Sequence, residues 1–139
     1  MDLPPDTFDK YRLQYNAAQL LSALENKAFD GFSKVIAVLD VDIFIPIFTC
    51  VFGEARQGGK VALVSLFRLG KTPSGRPIPS GQMLERASKI ALHELGHLFG
   101  LVHCEDERCL MHFSGEVDEV DRLPLNLCRY CRLYLKEAV

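Results

Sequence analysis

A chain of 139 residues, 48% hydrophobic and 24% charged, can bury a core as one domain without staples, and its balance excludes a disordered chain. Its net charge of −2 gives no global attraction to nucleic acid or anionic lipid. The longest apolar run, residues 35–48, is broken by Asp40, Asp42 and Pro46 and is too short to span a bilayer.

The N-terminal segment is acidic and has no apolar core of a secretory signal, so the expected location is the cytoplasm. From Phe8 to about Asn26, the residues Leu13, Ala17, Leu20, Leu21 and Leu24 recur at spacings of three and four. That pattern predicts an amphipathic helix. Residues 34–45, rich in Val, Ile, Leu and Phe, predict a buried strand. Residues 48–52 predict a second, shorter strand, with Cys50 reading as a small buried hydrophobe. Residues 60–69 predict a third strand, and the Pro- and Gly-rich residues 71–81 a loop. A helix over about 82–99 follows. At 100° per residue, Leu84, Ala91, Leu95 and Leu98 share one side as a core face, and His93 and His97 share the other, flanked by Glu94. A short final helix over 123–135 carries Cys128 and Cys131.

The second helix carries the chemistry, in the run His93-Glu94-Leu95-Gly96-His97-Leu98-Phe99-Gly100-Leu101-Val102-His103. Residues four apart on a helix stack one turn apart, so His93 and His97 can reach one zinc ion. A left-handed turn at Gly100 can return the chain beneath the metal and bring His103 to it. Three protein ligands leave a fourth position for water, as in catalytic zinc sites. Glu94 is then placed as general base for a zinc-bound water, the mechanism of a zinc metallopeptidase. A bare His-Glu-x-x-His could be a buried helix with two satisfied histidines; three His, one Glu and one Gly over eleven positions argue against that reading.

Four of the five cysteines, Cys104, Cys109, Cys128 and Cys131, fall in the last 36 residues. In a reducing compartment such clustering favours metal over disulfides. Four thiolates can enclose a structural zinc, giving two zinc ions per chain. A redox Cys-x-x-Cys with stray thiols, or two disulfides, are the alternatives. A metal clip here would brace a segment with little apolar material and, because His103 adjoins Cys104, tie the two sites together.

The eleven-residue run is the metzincin signature. Extended by Cys104, Cys109, Met111, Cys128 and Cys131 in that order, it resembles the archaemetzincins closely over Ala91 to Cys131, and more weakly in the 11–24 helix and the strand–loop pattern before Gly81. The resemblance implies an α/β (α+β) fold. Its elements are a twisted mixed sheet with an antiparallel edge strand, two main helices and a small zinc-clipped C-terminal subdomain. It implies one catalytic domain over 1–139, with an upper subdomain at 1–100 and a lower one at 101–139 that holds a methionine turn at Met111. It also implies an edge strand roofing the cleft, for which residues 48–54 are the best candidate. Relatives have a strand before the first helix, so this sheet is expected to lack one at its edge. The loop at 71–81 is expected to form a movable cover.

The expected activity is that of a zinc-dependent endopeptidase or aminopeptidase-like enzyme, a monomer acting on peptides or flexible protein segments. A zinc-stabilised peptide- or protein-binding module with an occluded or weakly active site is the alternative. Residues 104–139 hold eight acidic and five basic side chains, which argues against nucleic acid as a partner.

Overall fold

The computed structural model describes residues 2–27 and 29–139. After a single 3-10 turn at Pro5–Thr7, the chain forms β1 (Phe8–Asp9), β2 (Gln14–Asn16), α1 (Ala17–Glu25), β3 (Val35–Leu39), β4 (Ile43–Phe44), β5 (Gly53–Ala55), β6 (Val61–Ser65), α2 (Ser80–Leu98), α3 (Val117–Arg122) and α4 (Arg129–Ala138). The main sheet has the order β3-β6-β5, with β3 parallel and β5 antiparallel to the fully buried β6. This is the expected mixed sheet with an antiparallel edge strand. A second, small sheet has the order β1-β2-β4.

The helix expected from Phe8 begins only at Ala17. Asp9 accepts the backbone N–H groups of Tyr11 and Arg12, and Leu13 takes a left-handed φ of 57°, so residues 8–16 form a hairpin. Asn16 then caps the helix by accepting the Gln19 N–H at 3.1 Å. These local caps override the apolar spacing of Leu13. Leu20, Leu21 and Leu24 do pack as expected, joining Ile43, Val61 and Leu63 in one core cluster. A strand therefore precedes α1, but it pairs with β4 and leaves β3 as an outer strand of the main sheet.

The strand expected over 34–45 divides at Asp40–Asp42. Asp42 is buried, and its carboxylate accepts two hydrogen bonds from Arg68 and one from Gln14. A buried carboxylate needs such partners, and making them bends the chain out of the β3 line. The segment 48–52 is irregular, apart from one antiparallel bridge from Val51 to Ile43. The edge strand itself is β5, at the C-terminal end of the 48–54 candidate.

The expected core face of α2 is corrected. Leu84 is 67% exposed, Ala91 and Leu95 are only half-buried, and Leu98 alone of the four is fully buried. The buried side instead carries Arg86, Lys89, Ile90, His93 and Glu94. The helix lies between the sheet and the C-terminal segment, so its chemical side faces inward. Two cations are tolerated there because each has partners. Arg86 donates to both Asp121 oxygens at 2.8 Å and to the carbonyls of Leu69 and Lys71. Lys89 donates to the carbonyls of Val120 and Asp121.

These contacts hold α3, which the acidic sequence concealed; only Val117 and Val120 anchor it in the core. The last helix starts at Arg129, not residue 123, because the Cys128 side chain caps it. No helix among the described residues is long and apolar enough to cross a membrane.

Candidate metal centres and active-site cleft

A cleft of about 770 Å³ runs between β5 and the segment 45–52 on one side and residues 112–115 on the other. His93, Glu94, His97 and His103 all line it. The ligand atoms of the three histidines lie within 4.8 Å of one another. The expected trio is therefore assembled, His93 and His97 by α2 and His103 by the turn at Gly100. That turn is left-handed, with Gly100 at φ 97°, and the Leu101 N–H returns to the Gly96 carbonyl at 2.9 Å.

Each helix histidine is oriented by a carbonyl. Nδ1 of His93 lies 2.8 Å from the Leu110 oxygen, and Nδ1 of His97 lies 2.8 Å from the Leu101 oxygen. A carbonyl can only accept, so each Nδ1 carries the proton and each Nε2 presents a lone pair. The two Nε2 atoms nevertheless face one another at 3.1 Å. Two acceptors at that distance repel unless a cation lies between them. Tetrahedral zinc with Zn–N near 2.05 Å sets ligand nitrogens about 3.3 Å apart, so the donors fit zinc.

Burial keeps these rings neutral, as a ligand must be. It lowers His93 to about 4 and also lowers His97 and His103. His103 is the exposed ligand, and its ring rests on Phe113 at 5.4 Å between centroids. Glu94 is 5% exposed, and its Oε2 has no hydrogen-bond partner among the described residues. Burial, then the charge of Glu54, pushes its carboxyl well above the usual range. An orphaned buried oxygen near two facing lone pairs, with the His103 ring beside them, is what a metal with an open coordination position would complete.

Met111 is fully buried beneath α2. A Cβ placed on Gly96, between His93 and His97 in sequence, would stand 2.6 Å from the Met111 sulfur. Gly96 thus allows the close approach of the turn that follows the cysteine loop.

The second cluster also forms. The Sγ atoms of Cys104, Cys109, Cys128 and Cys131 lie within 4.8 Å of one another. Cys104 and Cys128 are 3.8 Å apart, far beyond the roughly 2.05 Å of a disulfide. A tetrahedron with Zn–S near 2.3 Å has edges of about 3.8 Å. The Cys131 N–H donates to Cys128 at the start of α4, and this bond heads the causes that lower Cys128 to about 7.

The two clusters share a frame. Cys104 follows His103 directly, and its N–H donates to the Met111 carbonyl at 2.9 Å. The Leu110 carbonyl that orients His93 belongs to the same cysteine loop. These bonds join the two clusters through one loop.

Two expectations fail. Cys50 is half-buried and lines the cleft; burial raises its thiol. The loop at 71–81 does not line the cleft. It sits at the other end of α2, whose thirteen residues from Ser80 to His93 span about 20 Å, and Arg86 fastens it there. The orienting carbonyls of Leu101 and Leu110 escape sequence reasoning because backbone carries no residue signature. Gln57, which donates to the Leu101 carbonyl at 2.9 Å, has no motif that could have revealed it.

Comparison with known proteins agrees with this geometry. The model of peptidase family M54 matches residues 2–137. The archaemetzincin of Methanocaldococcus jannaschii is 39% identical over 137 residues, 99% of this chain and 73% of that protein. The archaemetzincin of Methanopyrus kandleri is 41% identical over 129 residues, 93% of this chain and 70% of that protein.

Among solved structures, the archaemetzincin of Methanopyrus kandleri superposes with a TM-score of 0.89 at 39% identity, over 99% of this chain and 72% of that one. A zinc-dependent peptidase from Methanocorpusculum labreanum gives 0.84 at 32%, over 95% and 80%. These relatives favour an enzyme over a binding module. The chain belongs to peptidase family M54, the archaemetzincins, and is a zinc-dependent metallopeptidase.

Proposed function

We propose that His93, His97 and His103 hold the catalytic zinc, that Cys104, Cys109, Cys128 and Cys131 hold a structural one, and that Glu94 is the general base of peptide hydrolysis. The observation that carries this reading is the 3.1 Å approach of two Nε2 lone pairs beside the unpartnered Glu94 Oε2. Zinc bound there supplies a Lewis acid that polarises the scissile carbonyl and brings the pKa of water near 7. Glu94 takes a proton from the attacking water and delivers it to the leaving amine.

An extended peptide adds to β5, the antiparallel outer strand that lines the cleft. Flexible segments satisfy this requirement more readily than folded proteins. The division of labour is an upper unit over 1–100 carrying sheet and helix and a lower one over 101–139 carrying the thiol clip and Met111. Unpaired clustered thiols suit the reducing cytoplasm.

Replacing Glu94 with Gln tests the assignment. E94Q retains two zinc ions and loses about 10²–10⁴-fold in peptide hydrolysis. Hydrolysis at the full rate would falsify the role.

A further inference from the structure

An aromatic contact crosses the cleft. Phe48, from the segment before β5, stacks on Phe113, from the segment after Met111, with centroids 5.4 Å apart and planes inclined by 24°. Phe113 in turn lies 5.4 Å from the ring of His103. The three rings form a continuous path from a proposed zinc ligand to the opposite lip. Phe48 and Phe113 remain 37% and 40% exposed, so each keeps ring surface available to an incoming group.

The supports of the two rings differ from the rings themselves. The Phe48 carbonyl accepts from Arg12 at 3.2 Å, and the Thr49 carbonyl accepts from Gln14 at 2.8 Å. Below, the His112 N–H donates to the Cys109 carbonyl at 3.0 Å. Backbone on each lip is fastened, whereas half-exposed Phe side chains retain rotational freedom. Ile47 and Val102, both exposed, extend the apolar surface, and the cleft lining contains no Lys or Arg among the described residues.

We propose that Phe48 and Phe113 form a specificity clamp that takes an aromatic side chain of the peptide, at a position flanking the scissile bond, by extending their stack. This rests on the peptidase assignment of the same cleft. Aromatic pairs gain energy beyond their buried area, whereas an acidic side chain there would lose water in a cleft already lined by Glu54 and Glu94 and without Lys or Arg among the described residues. Discrimination of Phe from Ala should then reach about 10-fold or more.

The test uses the zinc-loaded full chain and peptides that differ only by Phe, Leu, Ala or Asp at one position. We expect a Phe-to-Ala ratio in kcat/KM of about 10 or more at one flanking position, falling to within about threefold in F48A and F113A. F113L, which keeps apolar bulk and safeguards the fold, should give an intermediate ratio. A ratio that persists in both Ala variants, or a wild type that cuts the Phe and Ala peptides equally well, overturns the clamp. Because Phe113 also touches His103, a general loss of activity would leave the ratio intact and count against specificity.

Binding of the same peptides to zinc-loaded E94Q and E94Q/F113A supplies a readout independent of turnover. Phe-selective binding that F113A abolishes supports the clamp even if the wild type cuts none of the peptides, in which case the hydrolytic reading of the cleft falls and the recognition stands. Binding without selectivity overturns the clamp.

Discussion

His93 and His97 approach with Nε2 lone pairs facing at 3.1 Å because the carbonyls of Leu110 and Leu101 engage both Nδ1 protons. The backbone thus sets the tautomers that leave both Nε2 atoms free to hold one cation. Because these ligands converge only in the folded chain, metal binding and local order are coupled.

Metal content follows from that coupling. The wild type should hold two zinc ions, H97A one, and a chelator should remove the histidine-held ion well before the enclosed thiolate-held one. Metal analysis with thiol titration checks this. One zinc with four reactive thiols in the wild type would refute the structural site.

Gly96→Ala reverses an ordinary expectation. In an exposed helix the change stabilises by about 1 kcal/mol. Here the new Cβ would stand 2.6 Å from the Met111 sulfur, so overpacking should destabilise by about 1–3 kcal/mol. Urea denaturation measures the sign directly; a stabilised variant would mean Met111 yields freely.

Gly100→Ala should weaken the histidine-held zinc selectively. At φ 97° an L-residue is strained by about 1–2 kcal/mol, and its Cβ would meet the Tyr134 hydroxyl at 3.0 Å. Relaxing that strain displaces the turn that delivers His103. Competition with a chromophoric chelator should show weaker binding of one ion and unchanged binding of the other.

Asp121→Asn should cost about 2–3 kcal/mol, since it leaves the Arg86 guanidinium, 3% exposed, with an uncharged partner. The Arg86 hydrogen bonds hold the folded Asp121 carboxyl below its ordinary value. A depressed acid contributes stability above its unfolded pKa, near 3.9, and loses it as pH falls through the lower folded value. The difference between wild type and variant should therefore be equal at pH 8 and pH 5. A difference that shrinks across that interval would place the pKa elsewhere.

The residue string from His93 to His103, followed by the cysteine spacing, determined the metal chemistry and the family. Ligands separated by one helical turn or held in short loops are fixed by local geometry, so spacing alone reveals them. The buried β6 and the helical pattern of Leu20, Leu21 and Leu24 were legible for the same reason. Tertiary structure decided what depends on distant partners. The Asp9 turn shortened the first helix, and Arg86 and Lys89 became buried because α3 supplies an acceptor carboxylate and carbonyls. Phe48 and Phe113, 65 positions apart, meet only when the lips of the cleft fold together. The orienting carbonyls of Leu101 and Leu110 belong to no residue type at all. A sequence displays which side chains can bind zinc; only the folded backbone sets their tautomers and the walls around them.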